Sequence, residues 1–433
     1  MENSLISTLK GLIPRKGSFG ANVLSLMTGT TVAQGLLIIA TPVLTRLYTP
    51  EDFGIFALFF AMTQIISVIA CGRYELAIML PEKDESAFNV LSLSVLIVLG
   101  MSAFSLVVVG GFRNQIAFMV KTPQLAFWLW CLPVSLFLSG LSLPLGCWST
   151  RQNRFNLVSL ANIIRSVVTI GIQIIIGFLG KAGSLGLIVG LVLGQLIGTS
   201  VLIHQIFSDY RAGTIFIPSL TNIKHAALRY KKNPIFLTGS HLLNVLTMHM
   251  PVVILTYFSG AAISGIYSLC QRTLGLPSAL VGQAISQVFF PEASRRYRDT
   301  GSCRALYIKT VKQLIYISLG PFLIILFLAP HIFTLVFGSQ WQEAGVYAQI
   351  LAPIFFIRFI FSPLSSIFMV TESQVLDFFW QMIFFVSTSL GLIFGAMKDP
   401  RHAIIFYSLA YFMCFILNGL LSYNLSVRND NLS

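Results

Sequence analysis

Charged side chains are scarce in this chain of 433 residues: Asp, Glu, Lys and Arg make up 10% of it, whereas 55% of its residues are hydrophobic. Soluble globular domains carry about 25% charged residues. So little charge cannot cover a water-facing surface, which excludes a cytosolic enzyme, a nucleic-acid-binding domain and a disordered scaffold. With a mean hydropathy of +0.82, the composition indicates a polytopic membrane protein that contacts membrane lipids and no nucleic acid.

Motifs of catalysis and metal binding are also missing. The sequence contains no GxSxG, P-loop or HExxH pattern, and its six cysteines form no CxxC pair. Its Asp and Glu residues fall at the ends of apolar segments or between them. We therefore predict no catalytic residue, no metal site and no cofactor, and we interpret the protein as not being an enzyme.

Long apolar segments are abundant instead, and they show no strand alternation. Segments of this length predict membrane-spanning α-helices and an all-α fold, because a bilayer forces each span to satisfy its own backbone. The twelve predicted spans are roughly 20–45, 53–79, 87–112, 125–148, 155–179, 184–207, 235–258, 261–289, 313–336, 344–370, 376–397 and 403–425.

Lys and Arg are distributed unevenly between the predicted loops. With the N-terminus placed in the cytoplasm, nineteen of the 28 fall on the cytoplasmic side, six on the outer side and three within spans. This asymmetry predicts that both termini are cytoplasmic. We predict an amphipathic cytoplasmic lead-in at 1–18, six-helix lobes at 19–207 and 234–427, a cytoplasmic linker at 208–233 and a cytoplasmic tail at 428–433.

The two halves share a short pattern. Pro42-Val43 is followed by GIFAL at residues 54–58, and Pro251-Val252 is followed by GIYSL at residues 265–269. Both copies fall at the end of one predicted span and the start of the next. Because six spans per copy preserve the topology, the pattern predicts lobes related by a pseudo-two-fold axis along the membrane normal, an architecture of alternating-access transporters.

Three arginines fall inside predicted spans: Arg165, Arg272 and Arg358. An arginine at mid-bilayer costs at least ~2.5–3.5 kcal/mol on insertion scales, so it faces protein or water. No carboxylate lies at matching depth. Two interpretations stay open: a water-filled cationic cavity that binds a phosphate-bearing ligand, and local structural bonding. Arg46, at the outer end of the first span, is either a fourth member of the cavity or an interfacial anchor.

Neutral polar side chains also occur in the predicted spans. His249 is a candidate for proton coupling, because histidine ordinarily titrates near neutrality, although structural hydrogen bonding explains it as well. The amides of Gln34, Gln64, Gln271 and Gln283 suit either interhelical hydrogen bonds or a cavity that handles sugars.

Several of these segments resemble a known family. Residues 46–54 (RLYTPEDFG) and 74–81 (YELAIMLP) resemble Wzx-type polysaccharide repeat-unit flippases of the multidrug/oligosaccharidyl-lipid/polysaccharide exporter superfamily. The eighth span, with Tyr267, Arg272 and PEAS at 291–294, is similar to a helix of the lipid II flippases in which an arginine lines the central cavity.

This resemblance implies a V-shaped cavity lined by spans 1, 2, 7 and 8. It also implies export of undecaprenyl-pyrophosphate-linked oligosaccharides across the bacterial inner membrane, for O-antigen, capsule or exopolysaccharide assembly. The polymerase and the chain-length regulator of the same pathway are the partners that it suggests.

Two other functions stay open. A cation-coupled drug exporter of the same superfamily would need an Asp or Glu at mid-membrane to attract its cations. A membrane polysaccharide polymerase or ligase would need a large periplasmic loop with clustered Arg and His, whereas the longest predicted polar loop is cytoplasmic.

Overall fold

Twelve helices long and apolar enough to cross a membrane form the described part of the chain. The computed structural model describes residues 19–70, 72–180, 183–211, 218–231 and 238–427. The only strand-like pairing in these residues is one antiparallel bridge between Ser302 and Val427. The prediction of an all-α protein with twelve spans is confirmed. The predicted lead-in at 1–18 and tail at 428–433 lie outside the described residues.

In chain order, the spanning helices are α1 (Phe19–Leu47), α2 (Pro50–Ala70), α3 (Asp84–Met119), α4 (Leu132–Arg151), α5 (Phe155–Phe178), α6 (Leu185–Arg211), α7 (Thr238–Ser259), α8 (Ala261–Thr300), α9 (Arg304–Phe337), α10 (Gln342–Phe361), α11 (Gln374–Ala396) and α12 (Pro400–Leu425). Short helical segments precede α4, precede and follow α10, and lie at Tyr74–Ala77 and Leu220–Arg229.

The second helix is shorter than its apolar segment predicts. It ends at Ala70, and a separate turn of helix, Tyr74–Ala77, follows it. Between them, Gly72 and Arg73 take left-handed backbone angles, with φ of 52° and 58°. A left-handed residue interrupts the repeating hydrogen bonds of a right-handed helix, so hydropathy continues where the helix does not.

The eighth helix is longer than its apolar segment predicts. It continues through a charged stretch to Thr300, and Gly301 then ends it with a φ of 69°. Within this charged end, Arg296 donates a hydrogen bond to the Glu292 carboxylate one turn earlier at 2.7 Å. Pairs with this spacing stabilise a helix outside the hydrocarbon.

The chain divides into two compact units. Unit 1 comprises Met1–Ala40, Ile66–Arg113 and Trp128–Gly239, and unit 2 comprises Thr41–Ile65, Asn114–Phe127 and Ser240–Ser433. The turn between α1 and α2 therefore belongs to unit 2, together with α7–α12. The division into lobes at 19–207 and 234–427 stays a prediction.

In unit 1, the segment 74–81, which connects α2 and α3, is hydrogen-bonded to the short helix Leu220–Arg229 and to α4. The Tyr74 hydroxyl donates a hydrogen bond to the carbonyl oxygen of Ala227 at 3.1 Å. The Arg151 guanidinium of α4 donates one to the carbonyl oxygen of Ile78 at 3.0 Å. The segment that carries part of the family resemblance thus has a structural role, because it contacts two other helices of unit 1.

In unit 2, the beginnings of α2 and α8 cross at two glycines. A Cβ atom on Gly54 would lie 1.7 Å from the carbonyl oxygen of Ala261, and one on Gly265 would lie 1.9 Å from that of Pro50. Each glycine therefore meets the residue one turn before the other glycine. Such reciprocity is what a two-fold axis produces, and these are the glycines of the repeat seen in the sequence.

A buried tryptophan holds the α1–α2 turn beside this crossing. The Trp341 indole N–H and the Gln340 amide both donate hydrogen bonds to the carbonyl oxygen of Thr45, at 2.8 and 2.7 Å. The Phe53 ring packs edge-on against Trp341, with 5.0 Å between ring centres. Burial, and secondly the Asp52 carboxylate, raise the pKa of the neighbouring Tyr48 to about 12.

Candidate functional site

Carboxylates are confined to the ends of the described helices. Every described Asp and Glu lies in a connection, in a short helix, in the first or last turn of a spanning helix, or, for Glu292, in the charged end of α8. By contrast, Arg165 and Arg272 lie in the interiors of α5 and α8. Arg358 lies in the last turn of α10, which a 3₁₀ segment extends. The charges at depth are therefore positive.

A cluster of buried tyrosines joins α8 and α12 within unit 2. The Tyr267 and Tyr407 rings pack edge-on, with 6.2 Å between ring centres. The Tyr407 and Tyr411 rings, one turn apart on α12, pack edge-on with 5.7 Å between ring centres. Within α8, the Gln271 side-chain amide donates a hydrogen bond to the Tyr267 hydroxyl. All three tyrosines are buried, and the Gln271 amide is the partner that the Tyr267 hydroxyl needs inside the protein.

Arg272 follows Gln271 directly on α8. Consecutive helical residues are about 100° apart around the axis, so the two side chains leave α8 in different directions. Gln271 bonds to Tyr267 one turn earlier on α8, whereas Arg272 is a half-buried residue. Arg272 thus places a cation in the interior of α8. A guanidinium in this setting suits a phosphate group, which it can bind through two hydrogen bonds.

The other predicted site residues of unit 2 occupy several helices. Gln283 is exposed on α8, and Arg46 is exposed in the last turn of α1. The half-buried His249 ring lies edge-on against Phe60 of α2, with 5.8 Å between ring centres. Gln64 is half-buried one turn after Phe60. Proton coupling through His249 stays a prediction, as do substrate contacts by the others.

Unit 1 contains the remaining two candidates, Arg165 and Gln34. Arg165 packs closely against α6, because a Cβ atom added to Gly198 would lie 2.8 Å from the Cβ atom of Arg165. The Arg165 Nε atom and the Gln34 Oε1 atom are buried and have no hydrogen-bond partner among the described residues. Their roles in a cavity stay predictions.

Sequence reasoning missed Tyr407 and Tyr411. They are one turn apart in the apolar span α12, and this spacing was the available signal, because a buried tyrosine needs a partner for its hydroxyl. That Tyr407 packs against Tyr267 follows only from the packing of α12 against α8. The described residues contain no group of three or more His, Cys, Asp and Glu that could hold a metal ion.

Comparison with known families and curated proteins points to polysaccharide export. A family model described as "Polysaccharide biosynthesis protein" matches residues 43–346. The chain is 26% identical over 392 residues to the succinoglycan biosynthesis transport protein ExoT of Rhizobium meliloti, covering 87% of this chain and 74% of that protein. The residues that the family model matches include the α2–α8 crossing and Arg272.

Comparison with solved structures identifies the fold. The lipid II flippase MurJ, in an inward closed conformation, superposes with a TM-score of 0.75 at 15% identity, covering 92% of this chain and 87% of that one. A multidrug resistance MATE family transporter, in an inward-facing conformation, superposes with a TM-score of 0.70 at 14% identity, covering 94% and 96%. This likeness confirms the predicted fold class, an all-α polytopic membrane protein with the two-lobe fold that these transporters have.

Proposed function

The chain belongs to the polysaccharide biosynthesis protein family, and from this premise we propose that it is a flippase for undecaprenyl-pyrophosphate-linked oligosaccharide repeat units. It moves them from the cytoplasmic to the periplasmic leaflet of the bacterial inner membrane, with both of its own termini in the cytoplasm. The similarity to ExoT, a succinoglycan transport protein, supports a lipid-linked sugar substrate, and the fold supports transport rather than catalysis.

The observation that carries this proposal is the environment of Arg272. This half-buried arginine lies in the interior of α8, while the described carboxylates lie only toward the helix ends. A cation at depth is costly in hydrocarbon, and an anionic ligand offsets part of that cost. A pyrophosphate carries the charge and the oxygen geometry that a guanidinium binds best.

The mechanism follows from this charge. The pyrophosphate and its sugars bind at Arg272 while the prenyl tail remains in lipid. Binding shifts the transporter between inward-open and outward-open states only as far as the ligand prefers one state over the other.

A drug exporter with the same fold is the main alternative. A site for cationic drugs would need a carboxylate at mid-helix, and the described helices place arginine there instead. The charge of the site therefore favours the anionic lipid-linked substrate.

Substitutions at Arg272 test the proposal. We expect Arg272→Ala and Arg272→Glu to abolish glycan export, and Arg272→Lys to retain reduced export, because a point charge attracts phosphate without the paired hydrogen bonds. Losing a charge-assisted bidentate contact should weaken binding of the lipid-linked sugar about tenfold or more. The measurement is accumulation of lipid-linked repeat units in each leaflet, by mass spectrometry, at matched expression.

Arg298→Ala is the matched control, because this strongly exposed arginine lies on the same helix beyond the apolar region. It should export normally. Full export by Arg272→Ala would remove Arg272 from the mechanism, and export of a cationic drug by the wild-type protein without export of glycan would replace the proposed substrate.

A further inference from the structure

The α8 helix carries a second set of polar side chains on the side of Arg272. Gln283 and Gln287 follow Arg272 by eleven and fifteen residues. At 100° and 1.5 Å per residue, they lie within roughly 20° and 60° of Arg272 around the axis and about 17 and 22 Å along it. Both glutamines are exposed. One face of α8 therefore runs from a cation to two neutral amides.

The rest of this stretch of α8 divides into two other faces. On one, Phe289 is buried in a cluster of apolar side chains, and Gly282 lies beside Pro363, whose Cγ atom would be 3.5 Å from an added Cβ. On the other, Val281 and Val288 are 38% and 75% exposed. The helix is thus packed on one side and apolar and exposed on the second, while the third carries the exposed Gln283 and Gln287 together with the exposed Phe290.

This division distinguishes two surroundings. Exposed valines suit hydrocarbon, whereas an exposed amide in hydrocarbon loses its hydrogen bonds to water without replacement. The glutamine face therefore borders a hydrated space, and the valine face borders lipid. Buried glutamines in this protein behave differently: Gln195 accepts a hydrogen bond from Ser135 at 2.8 Å, and Gln173 donates one to the carbonyl oxygen of Leu187 at 3.0 Å.

We propose that Gln283 and Gln287 form a sugar-binding extension of the Arg272 site, contacting the oligosaccharide while Arg272 holds the pyrophosphate. An amide group offers both a donor and an acceptor, as sugar hydroxyls require, and it carries no charge that would compete for phosphate. The glycan then extends along α8 toward Thr300. This inference rests on the proposed function and adds the residues that read the sugar.

A binding measurement separates the two parts of the ligand. The purified protein in detergent is titrated with undecaprenyl pyrophosphate, and separately with the same lipid carrying a trisaccharide. We expect the wild-type protein to bind the glycosylated lipid about tenfold more tightly, the equivalent of one or two net hydrogen bonds. Gln283→Ala/Gln287→Ala should keep its affinity for the bare lipid and lose this tenfold difference.

The matched control is Val281→Ala/Val288→Ala, on the lipid-facing side of the same turns, which should retain the sugar-dependent difference. A second variant, Gln283→Met/Gln287→Met, keeps the side-chain length and should lose the difference as the alanine variant does. Thermal midpoints close to that of the wild-type protein show that the variants fold.

The outcomes separate this inference from the proposed function. If the glutamine variants retain the sugar-dependent difference, or if the wild-type protein binds both lipids equally, the sugar site is wrong while a pyrophosphate site at Arg272 stands. If the wild-type protein binds neither lipid, both proposals are overturned.

Discussion

The crossing of α2 and α8 makes a strong prediction about stability. Replacing either Gly54 or Gly265 by alanine adds one methyl group where the two helices touch through their backbones. The added carbon would lie 1.7 Å from the Ala261 carbonyl oxygen in the first case and 1.9 Å from the Pro50 carbonyl oxygen in the second. Neither neighbour is a flexible side chain, so relief requires the helices to move apart.

The cost can be estimated from that movement. Non-bonded heavy atoms in ordinary contact lie about 3.5 Å apart, so each substitution forces a separation of nearly 2 Å, about half of the ordinary contact distance. Overpacking of this kind costs typically 1–3 kcal/mol, and backbone neighbours place these sites near ~3 kcal/mol. Alanine returns about 1 kcal/mol through its better helix propensity. We therefore expect each variant to lose about 2 kcal/mol.

Thermal unfolding of the purified protein in detergent measures this loss. Gly320→Ala is the matched control, because this exposed glycine of α9 has no atom within 4 Å of an added Cβ. It should melt at or slightly above the wild-type midpoint, whereas Gly54→Ala and Gly265→Ala should melt several degrees below it. The double variant should lose less than the sum of the two single losses, since the first methyl group already separates the helices.

Two results would refute this reasoning. If Gly54→Ala and Gly265→Ala both melt with the wild-type protein, the helices do not touch through their backbones. If the two losses add fully, the glycines do not share one crossing.

Three further predictions concern other parts of the protein. Trp341→Phe keeps an aromatic ring against Phe53 but removes the hydrogen bond to Thr45, so we expect a loss of about 1–3 kcal/mol in thermal stability, and an unchanged midpoint would contradict that role. The Asp399 carboxylate caps α12, and hydrogen bonds from the His402 backbone N–H and, secondly, from the His402 imidazole lower the pKa of Asp399. The stabilisation by Asp399 is therefore complete above the ordinary aspartate pKa near 4 and is lost as the pH falls through the lower pKa of the folded protein. Asp399→Ala should therefore destabilise the protein at neutral pH and remove this acid dependence of its stability. The exposed Ser219, replaced by cysteine in a cysteine-free background, should resist an impermeant maleimide applied from the periplasm and react after the cells are opened; labelling in intact cells would reverse the orientation.

Hydropathy predicts the twelve spans because a bilayer leaves the backbone few alternatives to a helix. Hydropathy does not predict where a helix ends when local backbone geometry or charged residues determine that end. The end of α2 coincides with the left-handed residues Gly72 and Arg73, and the charged end of α8, where Arg296 pairs with Glu292, continues as helix to Thr300. Neither feature changes the number of apolar residues, so neither is visible to a count of them.

The candidate site was only half predictable for a different reason. The depth of Arg272 and the absence of carboxylates beside it follow from the sequence, since depth is a matter of position along a span. The ring contact between Tyr267 and Tyr407 links residues 140 positions apart in the chain. Such partners depend on how α8 and α12 pack, and one sequence contains no signal that selects them.

The repeat allows α8, which carries Arg272, to be compared position by position with α2. Aligning Gly54 with Gly265 matches Phe56 and Phe60 of α2 with Tyr267 and Gln271 of α8. In α2 the two phenylalanine rings stack with 6.2 Å between centres, whereas in α8 the amide bonds to the tyrosine hydroxyl.

The same alignment matches Ala61, which is fully buried, with the half-buried Arg272. The two glycines of the crossing are the same in both copies, because a methyl group at either one would separate the helices. Further along, Tyr267, Gln271 and Arg272 of α8 stand where α2 has apolar residues, whereas Gln64 of α2 stands where α8 has Gly275. The two copies thus share the backbone contact and carry their polar side chains at different positions.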